Sequence, residues 1–112
     1  MDISLEAIGA NQLLVRLNGR LDAVTSAEVK TTLKTQIEAG QLQIIVDLQG
    51  VPFIDSSGLA ALVSGLRLAR EKGGKIVLSG VQAQAYTVFR LTMLDRVFSI
   101  YPTPEDAQQN LS

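Results

Sequence analysis

The residues of this chain best placed to do chemistry lie in the segment Asp55-Ser56-Ser57-Gly58-Leu59. It follows an apolar run, Ile44-Ile45-Val46-Asp47-Leu48, and a turn, Gly50-Val51-Pro52-Phe53-Ile54, and it opens a helix-like run. A small hydroxyl where a strand hands over to a helix sits at the positive end of the helix dipole, among N–H groups without intrahelical partners. Such a spot suits a phosphate. Two readings stand side by side. In the first, Asp55 or Ser56 caps the helix and Gly58 permits close packing. In the second, Ser56 accepts a phosphate from an outside enzyme that brings nucleotide, metal and base, because this chain holds no obvious catalytic set. Phosphorylation would add roughly −1.5 to −2 charge units beside Asp55. A partner docked there would be rejected.

Other residues are weaker candidates. Gly19-Arg20-Leu21-Asp22 reads as a strand running into a turn, with Asp22 bonding local backbone. Its functional reading places Asp22 near Ser56 on one docking face. Asp47 ends a central strand, as the acceptor of an aspartyl-phosphate receiver does. A receiver needs an acidic metal site, and residues 3 to 8 offer only Glu6 on the wet face, which rejects that reading. Gly73-Gly74 and Gly80 fit neither a G-x-G-x-x-G nor a P-loop pattern. Ser57 and Ser64 have no base partner for nucleophilic catalysis. Arg67, Arg70, Lys72 and Lys75 read most simply as a solvated basic face.

Composition narrows the classes. The sequence has 112 residues, the size of one compact domain, and 46% are hydrophobic, enough to build a core. Ten basic residues against eleven acidic ones leave no excess to neutralise a nucleic-acid backbone, and 4% aromatics leave little to stack on bases. No nucleic-acid partner is expected. Cys and His are both absent. Disulfides, thiol nucleophiles, the common zinc sites and Ser-His-Asp catalysis are therefore removed. No metal, cofactor or catalytic residue is expected, and the chain reads as a binding protein rather than an enzyme. A hydrolase using Ser56 would need a base that the sequence does not offer. Met1-Asp2-Ile3-Ser4-Leu5-Glu6 is acidic and alternating, unlike a signal peptide, and no apolar run reaches membrane-span length. A cytoplasmic location is expected.

The elements that must position Ser56 follow from periodicity. Ile3, Leu5 and Ala7 alternate with polar residues, and Leu13 to Leu17 form a second run across the turn Gly9-Ala10-Asn11, predicting an N-terminal β-hairpin. Thr25-Ser26-Ala27-Glu28 has the capping-box spacing, with a helix to about Ala39, a stop at Gly40 and a stripe of Val29, Leu33 and Ile37. Leu42 to Leu48 is continuously apolar, as suits a strand covered on both faces. The helix after Asp55 carries Leu59, Leu62, Val63, Leu66 and Ala69 on one face and stops at Gly73-Gly74. Lys75 to Ser79 is the next strand, Val81 to Leu94 a third helix with Ala85, Val88, Phe89 and Met93 inward, and Val97 to Tyr101 the last strand. Thr103-Pro104 starts a terminal helix. The order β-β-α-β-α-β-α-β-α predicts a single α/β domain over residues 1–112, with a mixed, mostly parallel sheet and about four helices.

With these residues in place, the sequence resembles the STAS domains, and within them the bacterial anti-sigma-factor antagonists. The resemblance rests on Leu17-Asn18-Gly19-Arg20-Leu21-Asp22 and on Ile45-Val46-Asp47-Leu48 leading to Phe53-Ile54-Asp55-Ser56-Ser57-Gly58-Leu59. Gly73-Gly74-Lys75-Ile76-Val77-Leu78 and Leu94-Asp95-Arg96-Val97-Phe98-Ser99-Ile100 extend it over almost the whole chain. It implies a partner-switching regulator of transcription. The unmodified form would bind an anti-sigma-factor serine kinase and release a sigma factor, phosphorylation would end that binding, and a serine phosphatase would restore it. It implies Ser56 rather than Ser57 as the acceptor, Asp22 as a partner contact, and Asp55, Ser57, Gly58 and Leu59 as the acceptor's surroundings. Arg20 departs from the family pattern, where an acidic residue often stands, and so do Ala60 and Met93, where glycine is frequent. A second reading is a constitutive STAS scaffold or small-ligand module in which Ser56 is structural.

Overall fold

The computed structural model describes residues 1–111. Its elements are β1 (Asp2–Gly9), β2 (Gln12–Asn18), α1 (Ser26–Glu38), β3 (Gln43–Gly50), α2 (Ser56–Glu71), β4 (Lys75–Ser79), α3 (Ala83–Leu91), a short 3-10 turn (Leu94–Arg96), β5 (Ile100–Tyr101) and α4 (Pro104–Gln109). The five strands form one sheet in the order β1-β2-β3-β4-β5. The β1–β2 hairpin is antiparallel and the other three pairings are parallel, giving the mixed sheet expected.

Ile44 through Leu48 are all buried, because β3 lies mid-sheet with apolar cover on both faces. The alternating side chains divide between two cores. Leu13, Val15, Ile44, Val46, Ile76 and Leu78 pack with the buried stripe Val29, Leu33 and Ile37 of α1 and with Leu62 and Leu66 of α2. Leu14, Ile45 and Val77 face the opposite way and are covered by Ala107 and Leu111 at the C-terminal end. The sequence-predicted stripes of α1 and α2 thus face the sheet, except that Val63 is only half-buried.

Four local expectations need correction. The capping box at Thr25 does not form: Thr25 makes no side-chain cap, and its hydroxyl instead donates to the Arg20 carbonyl at 2.7 Å. The third helix covers Ala83–Leu91, not Val81 to Leu94. It ends where the Thr92 hydroxyl bonds the Val88 carbonyl at 2.7 Å and Met93 turns left-handed with φ of 62°. Met93 therefore points outward, 60% exposed, rather than inward. The last strand pairs only over Ile100–Tyr101, because Phe98 before it leaves the ladder to pack edge-to-face against Phe89, centroids 5.9 Å apart.

Candidate functional site

The site is built where β2 and β3 end side by side. Beyond their last paired residues, Gly19 donates to the Gly50 carbonyl at 2.9 Å and Leu21 donates to the Phe53 carbonyl at 2.9 Å. Leu21 and Ile54 form a parallel bridge, and Asp55 donates back to the Leu21 carbonyl at 3.2 Å. Leu21 is fully buried, which anchors this junction in the core. The bridge brings the segment holding Asp22 alongside the segment holding Asp55 and Ser56. Gly19 has a φ of +121°, a conformation open to glycine and costly for other residues.

The start of α2 resolves the division of labour among the small polar residues. Asp55 is the N-cap: its backbone is extended, and its Oδ1 accepts from the Gly58 N–H at 3.0 Å. Ser56 is the first helical residue and is exposed, and its hydroxyl has no hydrogen-bond partner among the described residues. Ser57 is half-buried. Gly58 and Leu59 lie beneath the surface, so they support the start of α2 from inside and do not present side chains outward. A Cβ on Gly58 would stand 2.5 Å from the Leu21 carbonyl oxygen. Only glycine lets the first turn of α2 press onto the strand end that holds it.

Asp22 shapes the facing loop. Its Oδ1 accepts from the N–H of Val24 at 3.0 Å and of Thr25 at 3.3 Å. Partial burial pushes its carboxyl up, but those two backbone bonds, the Arg20 guanidinium and the Thr25 hydroxyl outweigh it and hold the carboxyl below its ordinary value. Asp22 is therefore ionised at neutral pH. Arg20 pairs with it at 3.6 Å and lies over the Phe53 ring, 4.0 Å from the centroid. That stacking ties the loop carrying Asp22 to the turn leading into Asp55.

Two residues that hold this junction escape a reading of the sequence. Arg20 reads there only as a change of charge, and its stacking on Phe53 has no local signal. Gln84, in the first turn of α3, clamps Ile54 from both sides, accepting from its N–H at 2.9 Å and donating to its carbonyl at 3.0 Å. Thirty residues separate the two, and an isolated glutamine carries no pattern to predict the pairing. Asp47 is buried instead, accepting from the Ser79 hydroxyl at 3.2 Å and facing Arg16 at 3.8 Å. No cluster of three or more potential metal ligands occurs among the described residues.

The STAS domain pattern matches residues 2–107. The chain belongs to the STAS domain family. Its similarity to the anti-sigma F factor antagonist of Paenibacillus polymyxa is 30% identity, covering 88% of this chain and 86% of that one. Its fold is similar to that of a STAS domain anti-sigma-factor antagonist protein from Planctomyces limnophilus, with a TM-score of 0.87 at 24% identity over 99% of this chain and 98% of that one. It is also similar to Bacillus SpoIIAA in its phosphorylated form, with a TM-score of 0.79 at 21% identity over 99% of this chain and all of that one. Against the unphosphorylated form of SpoIIAA the TM-score is 0.76 at 21% identity, covering 97% of this chain and 96% of that one. Among the described residues of this STAS domain, no helix is long and apolar enough to cross a membrane.

Proposed function

We propose that this STAS domain is a phosphorylation-controlled antagonist of an anti-sigma-factor serine kinase, with Ser56 as the acceptor. The observation that carries the reading is the split of roles at the start of α2: Asp55 caps the helix, which leaves the Ser56 hydroxyl exposed and unengaged among the described residues. The relatives named as anti-sigma factor antagonists support the same role. In the unmodified form, Asp22, Asp55, Ser56 and Ser57 make up the surface that the kinase reads, with Gly58 and Leu59 shaping it from below. Binding this surface occupies the kinase and releases its sigma factor.

Phosphorylation at Ser56 then changes charge rather than fold. A phosphate at the first helical position gains from the helix dipole and from N–H groups at the helix start. Asp55 already holds the Gly58 N–H, so phosphate and carboxylate compete for the same donors. About two negative charges gathered beside Asp55 and Asp22 then oppose an acceptor-binding surface suited to a neutral serine. The fold of this chain is similar to both the unphosphorylated and the phosphorylated form of SpoIIAA, which is compatible with a switch made by charge. A serine phosphatase resets the state.

The test is phosphorylation by the cognate kinase with ATP. Ser56→Ala abolishes incorporation and Ser57→Ala retains it. Equal incorporation in wild type and Ser56→Ala removes Ser56 as the acceptor. Ser56→Asp lowers kinase affinity by at least about tenfold, measured by calorimetry.

A further inference from the structure

We propose that the groove between α1 and α2 docks an extended acidic segment of the partner kinase, an inference that rests on the function proposed above. The groove begins beside the acceptor, where Ser57 and Ala60 face Lys30. It continues along both helices, with Lys30 and Lys34 on one wall and Ser64 and Arg67 on the other. Lys30 borders both stretches, so the two lie next to each other along the helices.

Charge identifies the occupant. Over the whole chain, acidic residues outnumber basic ones by eleven to ten. In this groove the balance reverses: Lys30, Lys34 and Arg67 stand against Glu71 alone. The three ion pairs among the described residues involve Arg16 and Arg20, so none neutralises these three cations. Their spacing also argues against a single small anion. Lys30 and Lys34 are one helical turn apart, about 6 Å along the axis. They line a path rather than converge on a point. A row of carboxylates matches such a row of cations.

Size and floor agree with a peptide. The 16 residues of α2 run for roughly 24 Å. An extended segment of about seven residues spans that length. Ala60, Ser64 and Gly65 along the groove are small, so a main chain can lie close to the helices. A kinase segment seated here would hold the enzyme beside Ser56 before and during transfer. It would also speed encounter by electrostatic attraction.

The test has two arms. In the first, a peptide of about eight alternating glutamates and serines is titrated into the isotope-labelled full chain, followed by amide chemical shifts. Shifts are expected at residues 27–34 and 57–68, weakening with added salt. They should fall at least about tenfold in apparent affinity in the Lys30→Glu/Lys34→Glu double variant. The Lys30→Arg/Lys34→Arg variant should retain them. Absence of these shifts at about millimolar peptide, or their survival after charge reversal, overturns the proposal. So does an equal response to an oligothymidylate of the same charge, since the groove would then be an unspecific polyanion surface. In the second arm, charge reversal raises the KM of the kinase for this chain about tenfold while kcat stays within about twofold. An unchanged KM overturns docking in the groove. Wild-type phosphorylation of Ser56→Ala would instead sink the acceptor assignment, and the peptide arm would still decide the groove.

Discussion

At the scale of single residues, the start of α2 assigns adjacent side chains opposite duties. Asp55 commits both its backbone and its carboxylate to structure, donating its N–H to Leu21 and accepting from Gly58. The Ser56 hydroxyl makes no hydrogen bond among the described residues and stays exposed. This separation has a measurable consequence. Asp55→Ala removes a cap, which costs typically about 1 kcal/mol. Ser56→Ala removes an exposed hydroxyl and should stay within about 0.5 kcal/mol of wild type. Urea denaturation distinguishes the two. A loss at Ser56→Ala equal to that at Asp55→Ala would return Ser56 to the role of helix cap and weaken its assignment as a free acceptor. The sequence leaves this choice open, because Asp and Ser are comparably good caps and only the backbone at residue 55 decides between them.

At the scale of elements, the junction depends on how closely α2 approaches the end of β2. Gly58 sits where a Cβ would meet the Leu21 carbonyl at 2.5 Å and the Ile54 side chain at 2.9 Å. Two effects of Gly58→Ala oppose each other. Helix propensity favours alanine by about 1 kcal/mol. Overpacking against a fixed backbone costs typically about 1–3 kcal/mol. The nearest obstacle is backbone rather than a flexible side-chain end, and the same carbonyl accepts from Asp55, so relief by local movement breaks a bond of the cap segment. The clash therefore wins. Gly58→Ala is expected to lower stability by up to about 2 kcal/mol and to weaken kinase binding beyond the effect of Ser57→Ala. Stability equal to or above wild type would show that the helix start can move away from the strand.

The elements also show which signals a sequence carries. Apolar stripes at Val29, Leu33 and Ile37 and the run Ile44–Leu48 are legible because burial on a helix face or in a central strand imposes a repeat. The end of α3 is not, since Thr92 bonds the preceding turn and Met93 adopts a left-handed conformation that its residue type disfavours. A glycine there would have marked the stop. β5 is shorter than its apolar run for a related reason. Its apolar residues are shared between strand pairing and the Phe89–Phe98 contact, and periodicity cannot divide them. The Gln84 clamp on Ile54 is invisible because a long-range side-chain pairing leaves no local repeat.

At the scale of the whole molecule, phosphate could act by charge or by unfolding, and the two differ in energy. Ser56, the proposed acceptor, lies at the start of a 16-residue helix whose face Leu59, Leu62, Leu66 and Ala69 is buried in the main core. Melting α2 would expose all four, at about 25 cal/mol per Å² of apolar surface. A phosphate at the helix start acts on a smaller scale. Its interaction with the helix end is worth typically about 0.3–1 kcal/mol, and repulsion from Asp55 works against it. Burial of the four apolar side chains outweighs both effects and holds the helix in place. The phosphorylated chain should therefore unfold in one cooperative transition like the unmodified one, with Tm values within about 8 °C, the shift that roughly 1 kcal/mol produces in a domain near this size. Calorimetry on the two separated forms, run with kinase-binding assays on the same samples, provides the comparison. Lost binding with a preserved Tm supports exclusion by charge. A fall in Tm well beyond that limit, or an early transition confined to α2, would mean that the phosphate works by loosening the helix and that the competition between phosphate and Asp55 reaches into the core.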